Sequence, residues 1–183
     1  MTYRWCMASE EKRTKSAGRP LGPTGETVRK NIRKIRDDIR HMAVTELSAK
    51  MSELGRSIPP LGIHRIESGE RRVDVDDLMA FAVALKVSPV SLLMPASSEA
   101  DGGVEVTGRD GSYSAEQIWE WLCATTLGYF PVEYESPAAF FRGAWPQWKQ
   151  EREREWLDSI DDVHARLREK TRQLAMREHR GDG

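Results

Sequence analysis

VTELSAKMSELGRSIPPLGIHRIESGERRVDVDDLMAFAVALKVSPVSLL, residues 44–93, is the stretch whose reading decides the fold. Val44, Leu47, Met51 and Leu54 step by 3, 4 and 3, which marks one face of a helix. Gly55 can close that helix in a left-handed conformation. A very short helix then starts near Pro60, with Ile63 and Ile66 pointing inward. Asp74 is placed to cap the next one, which carries Val75, Leu78, Ala82 and Leu85 on one face. Ser88 caps the last, with Pro89 at the first helical position, where a missing N–H costs nothing.

Upstream, Val28, Ile32, Ile35 and Ile39 step by 4, 3 and 4 and add a preceding helix. Residues 27–94 thus read as five short helices with short connections. Each fully buried apolar side chain contributes about 1.5–3 kcal/mol before chain entropy is charged. The second and third helices, joined by the Gly55 turn, have the shape of a helix-turn-helix, in which the later helix lies in the major groove.

TELSAKM, then IHRIESGERR, then DDLMAFAVALKVSPVSLL carry a likeness to a known family. Over about residues 27–94 the chain resembles the Cro/C1-type (XRE-family) helix-turn-helix transcriptional regulators. The resemblance implies a five-helix, lambda-repressor-like helix-turn-helix domain over those residues; with the small, mostly helical C-terminal module read from the rest of the sequence, a mainly α chain is expected. It implies that the exposed face of the third helix, Leu61, His64 and Arg65, reads bases. Arg65 would bond bidentately to guanine, a contact worth about 1–3 kcal/mol of discrimination, and Leu61 would touch a thymine methyl. Arg71 and Arg72 sit where the family contacts phosphate, though Asp74, Asp76 and Asp77 nearby also offer them local ion pairs. Thr45, at the start of the second helix, presents backbone N–H groups to another phosphate. Glu67 matches a family glutamate that pairs with a first-helix arginine, here Arg36. Two departures stand out. The segment between Met51 and Ile58 is longer than the family's usual turn, which extends the second helix by a turn, and Pro59, Pro60 and Gly62 supply no side-chain bonds to bases.

The 183 residues leave room for more than this domain. Residues 1–26 read as a flexible basic arm. Its Lys12, Arg13, Lys15 and Arg19 follow the duplex, enter a minor groove, or only add salt-dependent attraction. Residues 95–103 (PASSEADGG after Leu93-Met94) read as a linker, and residues 104–183 as an aromatic-rich module holding five of the six tryptophans. In that module VEVTGRDGSYS predicts a hairpin turning at Asp110-Gly111. Ser114 with Gln117 predicts a capping box. Residues 126–147 read as irregular, and a long charged helix as running from about Trp148 to Arg177. Trp156, Ile160, Val163 and Leu167 form a seam on it that Lys170 breaks and Leu174 resumes. That seam is either a dimer interface or the core of a small domain in which the long helix packs on the Trp119/Trp121 helix.

Net charge is −1, yet residues 1–95 hold 17 Lys/Arg against 12 Asp/Glu and residues 96–183 hold 11 against 17. A basic front half points to a polyanion partner. Cys6 and Cys123 form no metal or disulfide motif, and no secretory or membrane segment is legible, so a cytoplasmic location is expected. The absence of phosphate-loop, GxSxG, HExxH and CxxC patterns argues against an enzyme, and no cofactor is implied. The expected partners are double-stranded DNA and a second copy of the chain, with a possible protein partner through residues 104–183. Repression from a twofold operator leads. An antitoxin or phage-type immunity protein working through its C-terminal module is the alternative.

Overall fold

The structure, a computed structural model, describes residues 20–94, 102–125 and 136–181, with side chains as far as residue 176. It is mainly helical. Helix α1 spans Pro23–Lys34 and continues through a π-helical turn, Ile35–Ile39. Pro23 at its first position, and Glu26 bonded to Arg29, put residues 23–26 inside the helix rather than in the arm. The four cationic arm positions lie outside the described residues. The π turn also corrects Ile39. One extra residue in the turn rotates it off the core face, and it is 57% exposed.

Helix α2 spans Val44–Glu53, α3 Pro60–Ser68, α4 Val75–Leu85 and α5 Pro89–Leu93. The long α2–α3 connection does not add a turn to α2. Gly55 (φ 76°) stops the helix, Ser48 Oγ donates to the Ile58 carbonyl at 2.7 Å, and Pro59 holds extended backbone up to Pro60. Val28, Ile32, Leu47, Met51, Ile58, Ile63, Ile66, Phe81, Leu85 and Leu92 close one core. Val75, expected inside, is exposed at the first turn of α4, and Leu54 is half exposed at the end of α2. Buried Asn31 on α1 donates to the Leu92 carbonyl at 3.0 Å, which satisfies a C-terminal carbonyl of α5. Asp74 and Ser88 cap α4 and α5 through the amides of Asp77 and Val90.

Two residue pairs, Gly103–Val104 (β1) against Tyr113–Ser114 (β2), make an antiparallel ladder. Gly103 is therefore strand, not linker. The intervening segment is a loop with Gly108 and Gly111 both left-handed, rather than a tight Asp-Gly hairpin. Ser114 and Gln117 form a reciprocal capping box at the start of α6, Ala115–Cys123. Within the segment expected to be irregular, Pro137–Ala144 forms α7, capped by Ser136 with Pro137 at its first position. Tyr129, Phe130 and Tyr134 lie outside the described residues.

The long charged helix is two helices, α8 (Gln147–Arg152) and α9 (Arg154–Gly181), separated at Glu153. That break lets Trp156 stack on Trp145 at 5.5 Å and meet Phe141 edge-on at 5.2 Å. Helix α9 packs on α7, with Leu157 buried beside Phe140 and Phe141, and not mainly on the Trp119/Trp121 helix. Beyond Trp156 and part-buried Ile160 the seam leaves this core: Val163, Leu167 and Leu174 are all more than half exposed. Thr24 and Thr107 exchange backbone-to-hydroxyl bonds of 3.3 and 3.0 Å, and Met94 packs beside Val104 and Ile118. Among the described residues no helix is long and apolar enough to cross a membrane.

Candidate nucleic-acid interface

Helix α3 has two sharply different sides. Ile63 and Ile66 are fully buried and Glu67 nearly so, whereas Leu61 (61% exposed), His64 and Arg65 face solvent together. Leu61 and Arg65 are four residues apart, so their side chains lie one above the other. Pro60 opens the helix and Gly69, at φ 87°, closes it, with the Arg71 amide returning to the Arg65 carbonyl at 2.9 Å. Gly62 is required by close approach. A Cβ there would stand 2.9 Å from Ile58 Cγ2 and 3.2 Å from Arg71 Nη1.

The buried end of α3 is anchored by charge. Arg36 Nε donates to Glu67 Oε1 at 2.7 Å and its Nη2 to Oε2 at 3.2 Å, a two-point bond between side chains each about 7% exposed. The same guanidinium donates to the Met42 carbonyl at 2.7 Å, fixing the chain just before α2. The hydrogen bonds that Arg36 donates to Glu67 hold its pKa above the ordinary value against the opposing cost of burial. Arg29 Nη1 reaches the Glu67 carbonyl at 3.1 Å. The structure thus brings Arg36 and Glu67 together and uses them to lock α3 onto α1.

Arg71 and Arg72 lie just past the end of α3, and both already hold protein acceptors. Arg71 Nη2 donates to Asp77 Oδ2 at 3.3 Å, and Arg72 Nη2 to the Pro20 carbonyl at 2.5 Å. Asp77 is buried and also receives Arg56 at 2.8 Å, while Arg56 grips Asp74 at 3.0 Å. Asp77 bonding raises the Arg56 pKa, and the Asp77 amide followed by Arg56 keeps the Asp74 carboxyl below its usual range. Thr45 is exposed in the first turn of α2, whose N-cap, Ala43, provides no side-chain bond. The first amides of α2 consequently have no side-chain cap.

A groove of about 640 Å³ runs beside α3, with Leu61, His64 and Arg65 on one wall and Arg33 and Asp37 on the other. Once Arg36 and Glu67 neutralise each other, Arg33 and Arg65 stand against Asp37 and Glu70, so the groove is mixed rather than strongly basic. Sequence reasoning missed Arg29 and Arg56, whose bonds to Glu67, Asp74 and Asp77 span 18 to 38 residues, whereas Asp77 was among the acids offered to Arg71 and receives it. The acidic cluster after Arg72 was the one visible signal for Asp77. Among the described residues no group of three His, Cys, Asp or Glu side chains is placed to hold a metal ion. Compared with models of known families, with curated proteins and with solved structures, the chain matches none.

Proposed function

We propose that the chain is a sequence-specific, DNA-binding transcriptional regulator of the Cro/C1 (XRE) type, a cytoplasmic repressor acting on a twofold operator as a dimer. In this reading α1–α5 form a lambda-repressor-like domain, α2 and α3 are its helix-turn-helix, and α3 enters the major groove. One observation carries it. Leu61, His64 and Arg65 project from a single face of a short helix whose other face is fastened by Ile63, Ile66 and the Arg36–Glu67 bond. A reading helix needs that combination of exposed side chains on a rigid support.

Arg65 is the base-reading cation, with His64 and Leu61 beside it. Arg71, Arg72 and the α2 amides near Thr45 hold phosphates. Arg71 can turn to a phosphate cheaply, because Asp77 keeps Arg56 at 2.8 Å and is not left as an unpaired buried charge. Exposed Trp119 and Trp148 in the second module favour a further role in protein contact, the function the alternative reading would make primary.

The test begins by selecting preferred duplexes from a random pool with the full chain, then titrating preferred and scrambled duplexes at several salt concentrations. Arg65→Ala is expected to cost about 1–3 kcal/mol on the preferred duplex alone. Arg71→Ala is expected to weaken both duplexes and reduce the salt slope by about 1. Equal losses on both duplexes for Arg65→Ala would place Arg65 on the backbone. No loss on either would remove α3 from the interface.

A further inference from the structure

Helix α9 carries an apolar stripe that its own chain leaves open. Leu157 is buried against α7, but Val163, Leu167 and Leu174 are 53%, 57% and 51% exposed, with Ile160 part-buried between them and half-exposed Trp156. From Trp156 to Leu174 the stripe is about 27 Å long at 1.5 Å per residue. Its spacing of 4, 3, 4, 3 and 4 is that of a coiled-coil seam, with exposed Lys170 at one seam position.

The charges on α9 are segregated. Residues 154–162 hold Arg154 against Glu155, Asp158, Asp161 and Asp162, a net −3. Residues 163–176 hold Arg166, Arg168, Lys170 and Arg172 against Glu169, a net +3. Arg142 of α7, bonded to Asp158 and Asp161, offsets one of the acidic charges and leaves the sign unchanged. A parallel, in-register pair of such helices would set acidic half on acidic half and Lys170 on Lys170. An antiparallel pair sets each acidic half along a basic one.

We infer that α9 pairs antiparallel with α9 of a second copy, in the register that puts Val163 opposite Leu167, Ile160 opposite Lys170 and Trp156 opposite Leu174. This register is favoured because it gives every stripe residue a partner. A shift of one heptad either way strands Leu174 or Trp156. Lys170 then lays its stem along Ile160 and carries its ammonium into the partner's acidic half. The contact is isologous, so it closes at two copies. It deepens the reading of a twofold regulator by naming the surface that makes the twofold axis, and it rests on residues outside the proposed DNA contact.

The test uses the full chain without DNA, in a Cys6→Ser, Cys123→Ser background. Light scattering at tens of micromolar (on the order of ordinary weak-dimer affinities) is expected to give twice the 20.8 kDa monomer mass. Val163→Glu is expected to return it to monomer with an unchanged circular dichroism spectrum. Ile160→Cys and Lys170→Cys proteins are then oxidised separately and mixed. Like positions lie about 15 Å apart along an antiparallel pair, so neither variant should cross-link to itself, while the mixture should. A monomer, a dimer indifferent to Val163→Glu, or self-linked Lys170→Cys would each overturn the inference. A dimer with no DNA preference would leave it intact and remove the proposed function instead, so the two failures are told apart.

Discussion

Glu67→Ala should be among the most damaging single changes in the first core. It removes both carboxylate oxygens that face the Arg36 guanidinium at 2.7 and 3.2 Å. What remains is the Met42 carbonyl at 2.7 Å and Asp37 at 3.6 Å, the latter with a side chain more than half exposed. Leaving one member of a buried pair unmatched costs about 3–5 kcal/mol, and the surviving carbonyl places this case near 3. Urea unfolding at neutral pH should show the loss as a midpoint lower by about 1–3 M, for slopes of about 1–3 kcal/mol per molar. Arg36→Met with Glu67→Leu replaces the pair by apolar side chains of similar size and should recover most of the stability. If Glu67→Ala costs under about 1 kcal/mol, the pair behaves as a surface bridge and the anchoring argument for α3 fails. If the apolar double variant is as unstable as the single one, the loss comes from packing rather than from the stranded charge.

Gly62→Ala sets a helix-propensity gain of about 1 kcal/mol against overpacking of about 1–3, and the buried Ile58 methyl cannot yield. The expected result is a net loss near 1 kcal/mol in the same urea assay, and a stabilised variant would contradict the close approach. Acid should loosen the start of α4. The Asp74 carboxyl is held below its ordinary value of 3.8, so its contribution is fully present above that pH and is lost as pH falls through the lower folded value. Thermal melts between pH 7 and pH 2 on Asp74→Asn, which still caps but cannot ionise, should show a shallower acid decline than the native chain. A fragment of residues 20–95 should melt cooperatively by circular dichroism, because its core closes among α1–α5, with Gly22, Thr24, α5 and Met94 reaching the second module from its edge. A broad, non-cooperative melt would make the second module part of the same folding unit.

What was legible in the sequence was local. Asp74, Ser88 and Ser114 announce their helices within three residues, and the Ile63/Ile66 spacing separates the two sides of α3 without reference to anything distant. Periodicity failed where a local rule was overridden. The π turn moved Ile39 off the core face, and the break at Glu153, which lets Trp156 stack on Trp145, divided a helix that reads as continuous. Helix α7 was masked by its aromatic flanks although Ser136-Pro137 is a readable helix start. At the candidate site no spacing rule points from Arg36 to Glu67, 31 residues on, and only the likeness to a family suggested it. Asn31 bonding to Leu92, 61 residues away, had no signal at all.

The same long-range bonds change the meaning of the basic surplus in the first half. Arg29, Arg36, Arg40, Arg56, Arg71 and Arg72 all donate to protein acceptors, so these six, among the described residues, are not bare cations. Arg65, by contrast, has no hydrogen bond or ion pair through its side chain among the described residues, and it stands on the exposed face of α3. Under the proposed function, the two kinds of arginine suit the two kinds of contact. A base edge must be met by a side chain with nothing to give up, since its hydrogen bonds replace only water. A phosphate can be met by an arginine that is already oriented. Trading the Pro20 carbonyl for an anionic oxygen adds the attraction of a full opposite charge to a bond the guanidinium already makes. Holding the guanidinium in place beforehand lowers the side-chain ordering cost of binding, about 0.5–1.5 kcal/mol per immobilised side chain.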